Sequence, residues 1–175
     1  GGIGIDLGSG GVQHPGCIAT DALGNGETPV YGGIMAGVHI KVDASDLSMF
    51  QSDMFSCVLA SHVLEHLPCS ALTEHCSQEG RRYYHCGGYE LKSILRNHWI
   101  RVIRPGGYLV IIVPDDAYAR EHNSSVLFYD DSHRHALSAV EFRANILSSL
   151  TDLIEVVSFD SLANSFSYEL IARKL

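Results

Sequence analysis

The sequence is short of positive charge, has a single Trp, and contains no long apolar run. Its 12 Lys and Arg face 20 Asp and Glu, a formal net charge of −8. A chain so poor in cations has no broad electrostatic grip on a phosphate backbone, so nucleic acid is not an expected partner. No apolar stretch approaches the roughly 20 residues that a bilayer-crossing helix needs, which excludes a helical membrane span. The cysteines number five, so they cannot all pair within the chain, and no signal-peptide pattern is visible. A reducing, cytoplasmic setting is the expectation. The sequence also lacks repeats, low-complexity tracts and linkers. It opens on Gly1 already inside an apolar run, and is expected to be a fragment without its leading segment.

What is present is a globular composition, 46% apolar and 18% charged over 175 residues, which suits one domain spanning 1–175. Residues 2–7 alternate and are rich in Ile, reading as a strand that runs into the glycine cluster at 8–11. Second and third strands are expected at 17–20, ending at Asp21, and at 38–42, ending at Asp43. The stretch between them, 22–37, is rich in glycine and reads as a loop. A fourth strand at 55–60 and a continuous apolar fifth at 108–113 fit a parallel sheet covered on both faces. Apolar residues near a 3.6 period predict a helix over 89–103, stopped by Arg104-Pro105-Gly106-Gly107. Ser138 and Glu141 form a capping box ahead of a second helix with apolar Phe142, Ile146, Leu147 and Leu150. Residues 154–159 and 167–172 alternate as two closing strands. The alternation of strands and helices predicts an α/β domain with a mostly parallel sheet.

In such sheets ligands bind beyond the carboxyl ends of the strands, where the strand order reverses. Asp21, Asp43, Ser61, His62 and Asp115 all fall just past strand ends. A glycine turn at 8–11 lets backbone approach a ligand. A carboxylate at Asp21 can accept from a ribose diol, and one at Asp43 from an exocyclic amine. A dinucleotide-binding fingerprint fits poorly, because Gln13 stands where its third glycine belongs and Asp21 comes too early for its acidic partner.

Four segments carry a resemblance: Gly4-Ile5-Asp6-Leu7-Gly8-Ser9-Gly10, Val42-Asp43-Ala44-Ser45-Asp46-Leu47, the run from Phe55 through Ser61-His62-Val63-Leu64-Glu65-His66-Leu67, and the run from Trp99 through Arg104-Pro105-Gly106-Gly107-Tyr108-Leu109. In this order the chain resembles the class I S-adenosylmethionine-dependent methyltransferases, type-11 group, over essentially its whole length. The resemblance implies a Rossmann-like, mostly parallel seven-stranded sheet flanked by helices and closed by an antiparallel hairpin. The helices between strands one and two and between strands two and three are shortened. It implies that Gly8, Ser9 and Gly10 face the methionine part of the cofactor, with Asp6 supporting the loop. Asp21 would hold the ribose hydroxyls, and Asp43 with Ala44 would fix adenine. Ser61 and His62 would lie near the methionine amine and the methyl group. The implied activity is methyl transfer from S-adenosylmethionine to an O or N atom of a small-molecule acceptor. The alternative is a non-catalytic nucleoside-binding or scaffold domain with the same fold.

The span from His66 to Pro105 exceeds the family's, and the surplus at about 68–88 reads as an insertion loop over the substrate side. It holds Cys69, His75, Cys76, His85 and Cys86, whose adjacent placement does not match the usual spacing of zinc ligands, and no residue is assigned to a metal. Arg81, Arg82, Tyr83 and Tyr84 are candidates to touch substrate. By the resemblance, the polar stretch 130–135 lies near the acceptor, and imidazole is the natural base near neutral pH. His133, His135 and His62 are therefore the candidate proton acceptors, with Asp115 and Asp116 as candidates for orienting the substrate.

Overall fold

The computed structural model describes residues 2–10, 14–24, 26–27, 37–69, 90–115, 118, 133–135, 138–161 and 167–175, and, by backbone alone, 73–76, 82–85 and 89. One seven-stranded sheet organises them. Strand β1 (Gly4–Leu7) pairs in parallel with β2 (Cys17–Asp21) on one side and with β4 (Phe55–Ser61) on the other. The short β3 (Ile40–Lys41) extends the sheet beyond β2. The insertion carries β5 (Thr73–Cys76) paired antiparallel with β6 (Arg82–His85), a small hairpin outside the main sheet. Strand β7 (Ile103–Pro114) lies parallel to β4, and the hairpin of β8 (Ile154–Ser161) and β9 (Ser167–Lys174) closes the sheet with β9 antiparallel to β7. The spatial order is β3-β2-β1-β4-β7-β9-β8, so the chain reverses direction across the sheet between β1 and β4. The carboxyl ends of these two strands are where open sheets of this kind bind ligands.

The central strands are buried because both sheet faces are covered. All four residues of β1 are buried, and Val58, Ala60, Leu109, Ile111 and Val113 continue the core along β4 and β7. Helix α1 (Tyr89–Ile94) continues through a wider π-type segment at Leu95–Ile100 and buries Leu91, Leu95, Trp99 and Ile100. The capping box opens helix α2 (Ala139–Glu141): the Ser138 N–H donates to Glu141 Oε2 at 2.9 Å, and the Glu141 N–H donates to Ser138 Oγ at 3.2 Å. The segment runs on through Phe142–Ile146 and Leu147–Ser149, burying Phe142, Ile146 and Leu147.

Four expectations need correction. The third strand is reduced from 38–42 to Ile40–Lys41, because β3 pairs only along the last two residues of β2. Helix α1 ends before Ile103, which instead begins β7 opposite Phe55. Arg104-Pro105-Gly106-Gly107 is therefore an irregularity inside a long strand, at the register shift between Phe55 and Cys57, and not a turn preceding it. The insertion, read as a loop over about 68–88, holds a hairpin among its described residues. Its strands are polar and escape a search for apolar alternation. Among the described residues, none between β1 and β2 or between β2 and β3 is helical; residues 11–13, 25 and 28–36 lie outside them.

Candidate functional site

The glycine turn follows β1 directly. Gly8 and Gly10 have φ of 62° and 58°, the left-handed region that side chains adopt at a cost. At Gly8 space forbids a side chain as well, because an added Cβ would meet Val63 Cγ2 at 2.5 Å. At Gly10 the same position faces open space, so a side chain there would meet nothing within 4 Å. The Ser9 N–H donates to the Thr20 carbonyl at 2.9 Å, tying the turn to β2. Ser9 Oγ is buried and makes no hydrogen bond among the described residues.

Two carboxylates brace this turn. Asp6 is 1% exposed, and its Oδ2 lies 2.6 Å from His14 Nδ1, so the buried acid is joined to the far limb of the connection. Burial pushes the Asp6 carboxyl above its usual range, against the lowering effect of His14. His14 was not singled out from the sequence. Only its spacing from Asp6 across a turn hints at the pairing. Asp21, at the end of β2, accepts from the Gly10 N–H through Oδ2 and from the Leu23 N–H through Oδ1, both at 3.1 Å. Each carboxylate oxygen can accept more than once, so Asp21 keeps capacity for a diol.

Asp43 and Ala44 sit beyond β3 on a segment that α1 holds in place. Asp43 Oδ1 accepts from the Ser45 N–H at 2.8 Å and the Ser45 hydroxyl at 2.7 Å, leaving Oδ2 for another donor. The Ala44 carbonyl accepts from Trp99 Nε1 at 2.7 Å, and the Leu47 N–H donates to His98 Nδ1 at 3.1 Å. Arg101 donates to the carbonyls of Leu47 and Phe50 at 2.7 and 2.9 Å. The helix thus fixes a segment that two-residue β3 could not.

Ser61 ends β4, and His62 follows it with φ of 56°, a strained position for a residue with a side chain. The His62 N–H donates to the Ile112 carbonyl at 2.9 Å. Its ring stands between two partners, with Nδ1 3.3 Å from Glu65 Oε1 and Nε2 3.5 Å from Ser167 Oγ. Contact with the Glu65 carboxylate raises the imidazole pKa, and burial opposes it. Glu65, in the short helical turn Leu64–His66, is itself 1% exposed. Its backbone carbonyl accepts from the Arg134 and His135 N–H groups at 2.6 and 3.1 Å, which brings the 133–135 segment over it. His133 packs edge-on against His66, ring centroids 4.8 Å apart. His135 is buried, with Nε2 3.4 Å from the Pro68 carbonyl.

The structure therefore gathers His62 and His133 around one buried acid, with His135 packed beneath. Glu65, Ser167 and Tyr168 carry no site role in the sequence reading. A Glu inside an apolar run was the available signal for the first. Tyr168 is fully buried beside the charges of Asp115, Glu65 and Glu141, and burial drives its phenol pKa far upward. Asp116, 130–132 and the side chains of 81–86 lie outside the described residues. Cys69 is disulfide-bonded and so is not a thiolate ligand.

No protein-family model matches the chain, and no curated protein matches its sequence. Solved structures match its fold. A protein of Pyrococcus horikoshii OT3 is 14% identical, with TM-score 0.62, covering 99% of this chain and 82% of that one. A SAM-dependent methyltransferase of Methanosarcina mazei is 15% identical, with TM-score 0.57 and coverage of 99% and 92%. An S-adenosylmethionine dependent methyltransferase of Mesorhizobium loti is 10% identical, with TM-score 0.58 and coverage of 99% and 91%. At this identity the likeness is one of fold. In fold, the chain is similar to the Rossmann-type S-adenosylmethionine-dependent methyltransferases.

Proposed function

We propose that the chain transfers a methyl group from S-adenosylmethionine to an O or N atom of a small-molecule acceptor. The observation that carries this reading is the union of turn and acid at the sheet's reversal point, where the Gly10 N–H donates to Asp21. The donors and acceptors suit the cofactor. Asp21 would take the ribose hydroxyls, and Asp43 Oδ2 with the Ala44 segment would take the adenine edge. Gly8, Ser9 and Gly10 would face the methionine part, with the buried Ser9 hydroxyl available to it. When bound, the cofactor supplies an electrophilic methyl on a sulfonium, so that the acceptor's lone pair forms the new bond as the carbon–sulfur pair returns to sulfur.

The chain's own work is alignment and proton handling. Asp6 and Asp21 hold the turn rigid from both limbs, so that the cofactor's reacting end is fixed relative to β4. Ser61 and His62 stand at the end of that strand, toward the acceptor. Glu65 beside Nδ1 favours the tautomer that carries its proton there, leaving Nε2 to accept one from the acceptor. His133 is a second imidazole at the same mouth. His135, buried against Pro68, serves to hold the segment. The test is to incubate the protein with S-adenosylmethionine bearing a labelled methyl group and a panel of hydroxyl and amine acceptors. Turnover to S-adenosylhomocysteine is expected, with loss of rate in His62→Ala and retention of S-adenosylhomocysteine binding. Tight binding with no turnover across the panel would favour a nucleoside-binding scaffold.

A further inference from the structure

We propose that Glu65, His66 and His133 form a binding site for a divalent first-row transition metal, with zinc the best fit. Their ligand atoms, one carboxylate oxygen and two imidazole nitrogens, all lie within 4.8 Å of one another. Ligands about 2 Å from a tetrahedral zinc stand about 3.3 Å apart, so small side-chain rotations close the triad onto an ion. Two imidazoles and one carboxylate are a donor set that zinc takes with an open fourth position, and that other first-row divalent ions also take.

The second observation concerns Glu65 itself. Its side chain is 2% exposed, and neither carboxylate oxygen makes a hydrogen bond among the described residues. The nearest groups are His62 Nδ1 at 3.3 Å and His66 Nε2 at 3.9 Å from Oε1. Buried carboxylate oxygens are ordinarily satisfied by donors or by a cation, and an ion between Glu65, His66 and His133 would complete what His62 Nδ1 alone offers. The backbone prepares this arrangement. The two N–H groups that hold Arg134 and His135 on the Glu65 carbonyl deliver His133 to the face that His66 occupies. His62 Nδ1 would then act as the outer-shell donor that orients a ligating carboxylate. His66 keeps 37% of its side chain exposed, so the site opens toward the mouth beyond β4. That open side would leave a coordination position for water. The metal site stands without the methyl-transfer reading.

The test is titration of the full chain, stripped with chelator, by zinc in a calorimeter and by cobalt(II) in an absorption spectrometer. One zinc per chain is expected, with affinity falling about tenfold or more in His133→Ala and in the size-preserving His133→Asn. The cobalt spectrum is expected to show ligand-field bands without the intense near-ultraviolet absorption of a thiolate ligand. His75→Ala and His85→Ala, in the insertion, are expected to leave zinc affinity unchanged. Thermal unfolding of each variant without metal shows that it is folded before it is titrated. The proposal is overturned if no stoichiometric zinc binds, if both His133 variants bind as tightly as the parent, or if cobalt reports a thiolate. A separate failure of S-adenosylhomocysteine binding would strike the functional reading and leave this one standing.

Discussion

Replacing Gly8 by Ala tests how the glycine turn after β1 is built. The left-handed φ of 62° costs an L side chain about 1–2 kcal/mol. The new Cβ would also stand 2.5 Å from Val63 Cγ2, well inside ordinary contact. Overpacking of that kind costs about 1–3 kcal/mol. The sum places Gly8→Ala about 2–5 kcal/mol below the parent, a large share of a small domain's stability. The two contributions separate in a double-mutant cycle. Val63→Ala removes the clashing methyls, so in its background Gly8→Ala should retain only the dihedral cost of about 1–2 kcal/mol. Equilibrium unfolding in urea of the parent, both single variants and the double variant measures each corner. Gly8→Ala within about 0.5 kcal/mol of the parent would refute the reasoning. So would a cycle without coupling, since it would mean that the turn does not press on the residue after His62.

Other perturbations follow from single contacts. Trp99→Phe removes the N–H bonded to the Ala44 carbonyl and should cost about 1–2 kcal/mol in urea unfolding. If, as proposed, the Ala44 segment takes adenine, S-adenosylhomocysteine affinity should fall with it. Ser138→Ala breaks the capping box and should cost about 1 kcal/mol, read as a lower unfolding midpoint with an unchanged denaturant slope. Burial pushes the Cys57 thiol up to about 11. At pH 8 only about one part in a thousand is therefore thiolate, and iodoacetamide should label Cys57 slowly until the chain is unfolded. Labelling at the rate of a free thiol in the native protein would contradict its burial.

Much of the fold was legible because buried parallel strands and a capped helix leave plain marks. The runs at 55–60 and 108–113 are apolar because both sheet faces are covered, and Ser138 with Glu141 spells its cap in four residues. The errors arose where tertiary contact overrides local pattern. Strand β3 is two residues long because it finds a partner only at the end of β2, which no property of 38–42 reveals. Ile103 fits the helical period of its predecessors, yet it pairs with Phe55 across the sheet. The hairpin of the insertion is built from polar residues whose pairing is invisible to hydropathy. At the site, Asp6, Gly8, Asp21 and His62 could be chosen from position alone, because each falls at or just beyond a strand end. His14, Glu65 and Ser167 could not. Their parts depend on burial and on contacts such as that between His62 and Ser167, 105 positions apart in sequence.

Under the methyl-transfer proposal, the turn after β1 and Asp21 at the end of β2 form one nucleoside-binding unit. Calorimetric titration with S-adenosylhomocysteine tests it most directly, on the parent, Asp21→Asn and Asp21→Ala. Each charge-assisted hydrogen bond to a ribose hydroxyl is worth about 1.5–3 kcal/mol, so losing two lowers affinity by about two to four orders of magnitude. The account predicts one site per chain in the parent, a clear loss in Asp21→Asn, and a greater loss in Asp21→Ala, where the tie to Gly10 is also gone. A parent that does not bind, or an Asp21→Ala variant that binds as tightly as the parent, would contradict it.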